Sequence, residues 1–531
     1  MYDIMCKECL TQSDIPLGRF PAASASPAIG RDEDGRMTLD PRTPVIVGVA
    51  QVTDRVADPT VARTTIEIMT DACRSAATDA GQVGAVTEVD VVAVVGGLWS
   101  YPDPGRQVAT AIGAGRATTL LTGLSGTSPQ RLLDHLADRI SDGDLEAALM
   151  VGGEAFRSRR RARRAGVEVR RDVDTSIPAA KRYEGSLVMA TSHEEARGLV
   201  EPGVFYPIVE TAIRHHRGET IDGHRRRVGE LWSRFNAVAV GNPHAATRTP
   251  MDSDAITVPS ADNRMVSAPY TKAMMANNSV DQAGAVLLVS AARAEAFGVP
   301  RDRWIFPWVG SRADDPASPS ERMELHRSPG ARKAGRRALE TVGLGIDDVD
   351  HLDLYACFPS SVQVCATELG LDVDAETRPL TATGGLTFAG APHSNSVGQS
   401  LAALVGRLRD EPGTALLYAN GGYLGKHAFG VYSSQPPSTG YRSVRETEVE
   451  DVAESPPRRP DPDFAGQAIV DGYTVRHDRD GQPTDAIVAA LNVNGARVWG
   501  GSNDRATLKE LLTRDLVGQP CELDLQGSVY L

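Results

Sequence analysis

Residues 120–155 read LLTGLSGTSPQRLLDHLADRISDGDLEAALMVGGEA: a turn of small residues, a helix, a tight loop and a buried strand. Leu132, Leu133, Leu136 and Ile140 recur at helical spacing, whereas Leu145, Ala147, Leu149 and Val151 alternate as a strand does. The turn delivers a helix N-terminus, whose free N–H groups and dipole favour an anion or a nucleophile. Just ahead of that helix stands Gly126, which has no side chain. Ser125 and Ser128 flank it, and a serine without a general base is a poor nucleophile.

The surrounding chain repeats this pattern. VIVGVAQV after Pro44 and VDVVAVVGG ending at Gly97 read as strands buried on both faces, with a helical stretch over Thr64–Ala80 between them. Residues 76–97 then find an echo in 338–358, and residues 139–155 in 407–423. Such a long-range repeat predicts two similar α/β halves packed together, with a cleft where strand ends converge at the seam. The predicted order is a disordered leader (1–40), an N-terminal half (41–293) carrying an inserted, mostly helical loop domain (166–266), and a C-terminal half (294–434). A Pro-rich linker (435–464) precedes a tail (465–531) of alternating segments with turns at Asp480-Gly481 and Asn494-Gly495. The tail is expected to be a small β-barrel docked on the body.

Composition narrows the function classes. The 531 residues carry a formal net charge of −13, which argues against a general nucleic-acid binder. No apolar run reaches the length of a membrane helix, and no secretory signal precedes the fold, so no membrane partner and a cytoplasmic location are expected. The six cysteines include the pair Cys6-x-x-Cys9 without a second pair, so no metal is expected. One basic run stands out, from Arg157 through Arg159, Arg160, Arg161, Arg163 and Arg164 to Arg170 and Arg171. It reads either as a solvated helix face or as a phosphate contact for a nucleotide-bearing cofactor.

VGGEA at 151–155, ANNSVDQAGAVLLVS at 276–290, TATGGLTFAGAP at 381–392 and ANGGYLGKHAFGVYS at 419–433 together resemble the thiolase superfamily. With the β-rich tail, the chain is most similar to the thiolase-like proteins of type 1. The resemblance implies a thiolase fold, two pseudo-repeated α/β halves in a layered αβαβα arrangement, and places the missing nucleophilic cysteine at Gly126. It puts Tyr355 where Asn or His helps hold an oxyanion-hole water, Ala391 where a histidine donates to the thioester oxygen, and Ala419 where a second cysteine moves the proton. His393 lies two residues beyond the lost histidine, and the glycines of these motifs remain.

The family resemblance therefore implies an acyl-CoA or related acyl-thioester ligand, coenzyme A being the only cofactor expected, held by Gly126, Ser128, Gly385, Gly390, Asn420 and Gly421. On this reading the chain is a pseudoenzyme of lipid metabolism on an acyltransferase fold, without thiolytic or Claisen activity, and Gly126 enlarges the cleft. One alternative is a tyrosine-based retro-aldolase or lyase acting on a β-hydroxyacyl-CoA, with Tyr355, Tyr423 and His393 as candidate catalytic groups. Another is an acyltransferase with a non-standard nucleophile. Cys357 and Cys365 read as core cysteines. The assembly expected is a monomer or a thiolase-type homodimer.

Overall fold

The computed structural model describes residues 29–31, 37–168, 170, 172–185, 188–375, 378–445 and 456–531. Strands β1 (Ile29–Arg31) and β2 (Met37–Leu39) pair antiparallel, which corrects the expectation of a leader without order over part of its length. Most of that leader, with Cys6 and Cys9, lies outside the described residues, as do Arg171 and linker residues 446–455.

Pro44 opens β3 (Pro44–Thr53), followed by α1 (Thr65–Asp79). A capping box starts α1: the Glu67 N–H donates to the Thr64 hydroxyl, and the Thr64 N–H donates to the Glu67 carboxylate. Then come β4 (Val91–Val94), α2 (Pro104–Ile112), β5 (Thr118–Thr122), α3 (Ser128–Ser141) and β6 (Ala147–Ala155). β4 runs parallel to both β5 and β6, so Val94, Thr122 and Ala155 end on one edge of the sheet. From that edge start α3 and α4 (Phe156–Ala165).

The next stretch adds β7 (Lys181–Tyr183), α5 (Ser192–Ala196), α6 (Pro202–His216), α7 (Ile221–Gly241), α8 (Ser253–Thr257), β8 (Met265–Ala268) and β9 (Tyr270–Thr271). α6 is buried almost all round, and its Glu210 accepts hydrogen bonds from Gln363 and pairs with His224 of α7, both at 2.7 Å. β10 (Asp281–Ser290) returns antiparallel between β3 and β6, and α9 (Ala291–Ala296) follows it.

The second half contains β11 (Phe306–Asp314), α10 (Pro329–Thr341), β12 (His351–Asp353), α11 (Pro359–Leu369), α12 (Gly385–Phe388) and α13 (Ser396–Asp410). β13 (Thr414–Gly421), β14 (Lys426–Ser433) and β15 (Arg442–Arg445) complete it, β15 being a strand inside the expected linker. The first sheet runs β3-β10-β6-β4-β5-β7 and the second β12-β13-β14-β11-β15. Read from β11, the order β11-β14-β13-β12 reproduces β3-β10-β6-β4, so the sequence repeat is a repeat of topology. α3 and α13 lie between the sheets: Leu132, Leu136, Leu401 and Leu404 share one core with Ala148 and Met150 of the first sheet and Leu417 and Ala428 of the second. Both helices bury side chains toward the two sheets.

The tail is β16 (Gly466–His477), β17 (Pro483–Asn492), β18 (Arg497–Ser502), α14 (Arg505–Thr513), β19 (Pro520–Leu523) and β20 (Val529–Tyr530). The expected barrel is not closed: strand order is β18-β17-β16-β19-β20, and the outer strands meet only at an isolated bridge between Gly501 and Ser528. One reason is that β16 also pairs with β8 from the insertion, so the sheet grows onto the body instead of rolling up. The docking is tight. The Tyr473 N–H donates to the Thr211 hydroxyl, which in turn donates to the Tyr473 carbonyl, both at 3.0 Å, and Trp499 Nε1 donates to Ser320. Arg497, buried, holds Asp471 at 2.8 Å and donates to the Pro319 carbonyl. Its replacement in Arg497→Ala strands these partners, and we expect a loss of about 3 kcal/mol in denaturant unfolding, as one transition of body and tail together.

Candidate functional site

The loop before α3 is braced by its own hydroxyls. Ser128 donates to the Gly123 carbonyl at 3.1 Å, Thr127 N–H donates to Ser125 Oγ at 3.2 Å, and the Ser125 and Thr127 hydroxyls share a bond of 2.8 Å. Both serines are thereby committed to loop geometry. At Gly126 a Cβ would collide with the carbonyl oxygen of Asn420 and stand 2.7 Å from the Tyr355 hydroxyl oxygen. Gly126 therefore does not enlarge the cleft. The space a nucleophile would need is taken by the backbone of β13 and the ring of Tyr355.

Tyr355 sits beyond the end of β12, half-buried, and packs against both the core around α6 and the core around α3. Its hydroxyl has no hydrogen-bond partner among the described residues. Burial, then the nearby Cys357, raise its ionisation well above the usual phenol range, so it stands as a neutral donor. Burial likewise pushes the Cys357 thiol up to about 12, against hydrogen bonds with Tyr206 and Ser361, so it is not a thiolate. Asn420 Nδ2 donates to Tyr206 at 2.7 Å, while its Oδ1 is buried without a partner among the described residues. Tyr206, on α6, escaped the sequence reading because nothing local in the insertion marks a side chain that packs on Phe358 and reaches β13.

The other expected site residues are placed elsewhere or otherwise engaged. Tyr423 is buried, stacked on Phe205, and donates its hydroxyl to the Leu199 carbonyl at 3.2 Å. His393 begins a short turn with φ of 48° and pairs with Ser394 at 3.1 Å; burial holds it down at about 4, a neutral imidazole. That turn is pinned to the first sheet by Asn395, which donates to the Gly152 carbonyl at 2.7 Å. Gly385 packs on Ala356 and Gly390 on Gln282, both with positive φ, so each serves close backbone approach. Gly421 ends β13 opposite Lys426, whose ammonium pairs with Asp314 at 2.7 Å.

A second polar cluster has the composition of a hydrolase triad and not its geometry. Ser328 and Asp315 both approach Nε2 of His427 at 3.0 Å, and Tyr418 takes Nδ1. A working triad puts serine and acid on opposite nitrogens; here Ser328 caps α10. Among the described residues no three metal-ligating side chains gather, and no helix is long and apolar enough to cross a membrane. A cavity of about 250 Å³ beside the stacked His216 and His326, and another of about 450 Å³ against Glu522–Gln526, are lined by other residues.

A family model described as the thiolase-like protein type 1 additional C-terminal domain matches residues 449–527. The crystal structure of a monomeric SCP2-thiolase-like protein type 1 from Mycobacterium smegmatis is 28% identical, with a TM-score of 0.79 over 93% of this chain and 100% of that one. Residues 449–527 match the added domain of the type 1 thiolase-like proteins, and the chain as a whole is similar to one of them. An Ltp2-ChsH2(DUF35) aldolase shares the fold at 16% identity and a TM-score of 0.55, over 74% of this chain and 99% of that one. So does the dimeric peroxisomal thiolase of Saccharomyces cerevisiae, at 14% identity and a TM-score of 0.54, over 75% and 99%. No curated protein matches the sequence.

Two outcomes follow for this thiolase-like protein. Gly126→Ala forces Asn420 and Tyr355 apart and should cost about 1–3 kcal/mol, whereas Tyr355→Phe removes a hydroxyl without a partner and should stay within about 0.5 kcal/mol in the same denaturant titration. Asp134 of α3, wedged against Gly310 and accepting from Gln130 and Tyr441, is raised by burial from the ordinary carboxylate value to about 7. Asp138, one turn on, is raised to about 7 as well, again mainly by burial. With the folded value above the unfolded one, their contribution is full below the unfolded pKa and is lost as pH rises to about 7. The thermal midpoint should therefore decrease as pH rises from about 4 to about 7, and Asp134→Asn should flatten that slope.

Proposed function

We propose that this type 1 thiolase-like protein binds an acyl thioester, with acyl-CoA as ligand, and performs neither thiolysis nor Claisen condensation. The observation that carries the reading is the closure at Gly126: without a Cβ, and with Asn420 and Tyr355 against it, no acyl-enzyme forms there. What remains suits recognition. The neutral Tyr355 hydroxyl offers a donor to a thioester carbonyl, and it stands beside Gly126 and the backbone of Asn420. Coenzyme A is the only cofactor in this proposal, which extends to a pseudoenzyme of lipid metabolism acting as a cytoplasmic monomer. The monomeric state of the Mycobacterium smegmatis relative supports the last point.

Retro-aldol cleavage of a β-hydroxyacyl-CoA is the second reading. It is favoured by the Tyr355 hydroxyl standing at the nucleophile's position, and weakened by the engagement of Tyr423 with Leu199. Acyl transfer by another nucleophile ranks last, because Ser125 and Ser128 brace the loop and the Cys357 thiol is pushed up to about 12. Calorimetric titration with acetyl-CoA should give a saturable heat and a raised thermal midpoint, and Tyr355→Phe should weaken binding by about 0.5–1.5 kcal/mol. Radiolabelled acyl-CoA should leave no label on the protein. Absence of any heat at millimolar ligand, or covalent label, would overturn the reading.

A further inference from the structure

Helix α4 sorts its arginines by face. Arg157 turns inward, donating to the Val56 carbonyl at 3.0 Å, and Arg159 pairs with the buried Glu154 at 2.9 Å. Ser158 and Ala162 form the buried stripe, which leaves Arg160, Arg161, Arg163 and Arg164 on the outer side. Arg160 and Arg164 are one turn apart and face each other. No ion pair of Arg160, Arg163 or Arg164 is found among the described residues, in a chain whose net charge is −13. The Nε of Arg160 is buried without a partner. Arg479, exposed in the hairpin between β16 and β17, is near enough from the tail for its charge to act on Arg160. Burial first, then the charges of Arg164 and Arg479, hold Arg160 below the usual arginine range. The acidic groups nearby are otherwise oriented: Asp478 accepts the N–H groups of Asp480 and Gln482 within its hairpin, and Asp58 neighbours Arg161.

We infer that Arg160, Arg163 and Arg164 of α4, joined by Arg479 of the tail, bind the phosphates of a nucleotide, the nucleotide end of the acyl-CoA. The assignment rests on the acyl-thioester reading and adds where the far end of that ligand is held. Guanidinium groups match phosphate oxygens bidentately, and Arg160, Arg163 and Arg164, with no carboxylate partner among the described residues, keep donors for them. The placement agrees with the topology. α4 leaves the end of β6 on the edge from which the Gly126 loop leaves β5, and β4 alone separates those strands, a lateral distance of about 10 Å. A CoA thioester separates its acyl group from its phosphates by the extended pantetheine arm, so one ligand can lie along this edge. The tail hairpin contributes Arg479 only because β16 is docked on the body, which gives the added domain a role in the same site.

The test is calorimetric titration of the full chain with CoA, adenosine 3′,5′-bisphosphate and S-acetylpantetheine, at two salt concentrations. Wild type should bind CoA and the bisphosphate, and salt should weaken both. Arg160→Gln/Arg164→Gln and, on the fully exposed turn, Arg163→Gln/Arg164→Gln should each weaken CoA at least tenfold and leave S-acetylpantetheine unchanged. Arg479→Gln should weaken CoA several-fold. If the variants bind CoA like wild type, the arginine site is overturned while acyl-thioester binding stands. If wild type binds neither CoA nor S-acetylpantetheine, both are overturned. Retention on anionic vesicles or duplex DNA with no response to CoA overturns the nucleotide assignment.

Discussion

The contact between Gly126 and the second half of the molecule governs everything around it. An α-carbon without a side chain lets the Asn420 carbonyl and the Tyr355 ring close on the N-terminus of α3. A cysteine there and a tyrosine at 355 are mutually exclusive by volume alone. A side chain at 126 would meet the Asn420 carbonyl first and the Tyr355 hydroxyl second, so the site offers hydrogen bonds and no nucleophile at that position. Its polar groups are a neutral phenol, a buried thiol, and an amide with one end unpartnered among the described residues.

That contact is possible because the two halves meet through a shared helical layer. α3 and α13 pack between sheets of matching strand order, so the ends of β5 and β13 face each other across α3. The layer is dense, and carboxylates caught in it, such as Asp134, are pushed toward their neutral forms. The tail belongs to the same body. Ile487, Ala489 and Trp499 share the core of α6, and Arg458 ties the linker to Glu321 and Gly495.

The pattern of buried strands and amphipathic helices was legible in residues such as Leu132, Leu136 and Ile140, because apolar periodicity is a local property that burial preserves. So was the pseudo-repeat, since each half must bury a similar strand. The tail's strands were legible for the same reason. Whether they close into a barrel was not: that depends on β8, a segment some two hundred residues distant that pairs with β16. That Gly126, Ala391 and Ala419 carry no reactive side chain is plain in the chain. What surrounds Gly126 is not, because Tyr206, Tyr355 and Asn420 come from three separate elements.

By itself, then, the sequence determined the α/β halves, their repeat and the absence of a side chain at residue 126, all of which follow from residue type and spacing along the chain. Only the tertiary structure decided that Gly126 is closed and not open, that Tyr423 is turned to Leu199, and that the charge of Arg479 acts on Arg160 of α4. These are facts about distances between elements far apart in the chain, and no local pattern encodes a distance.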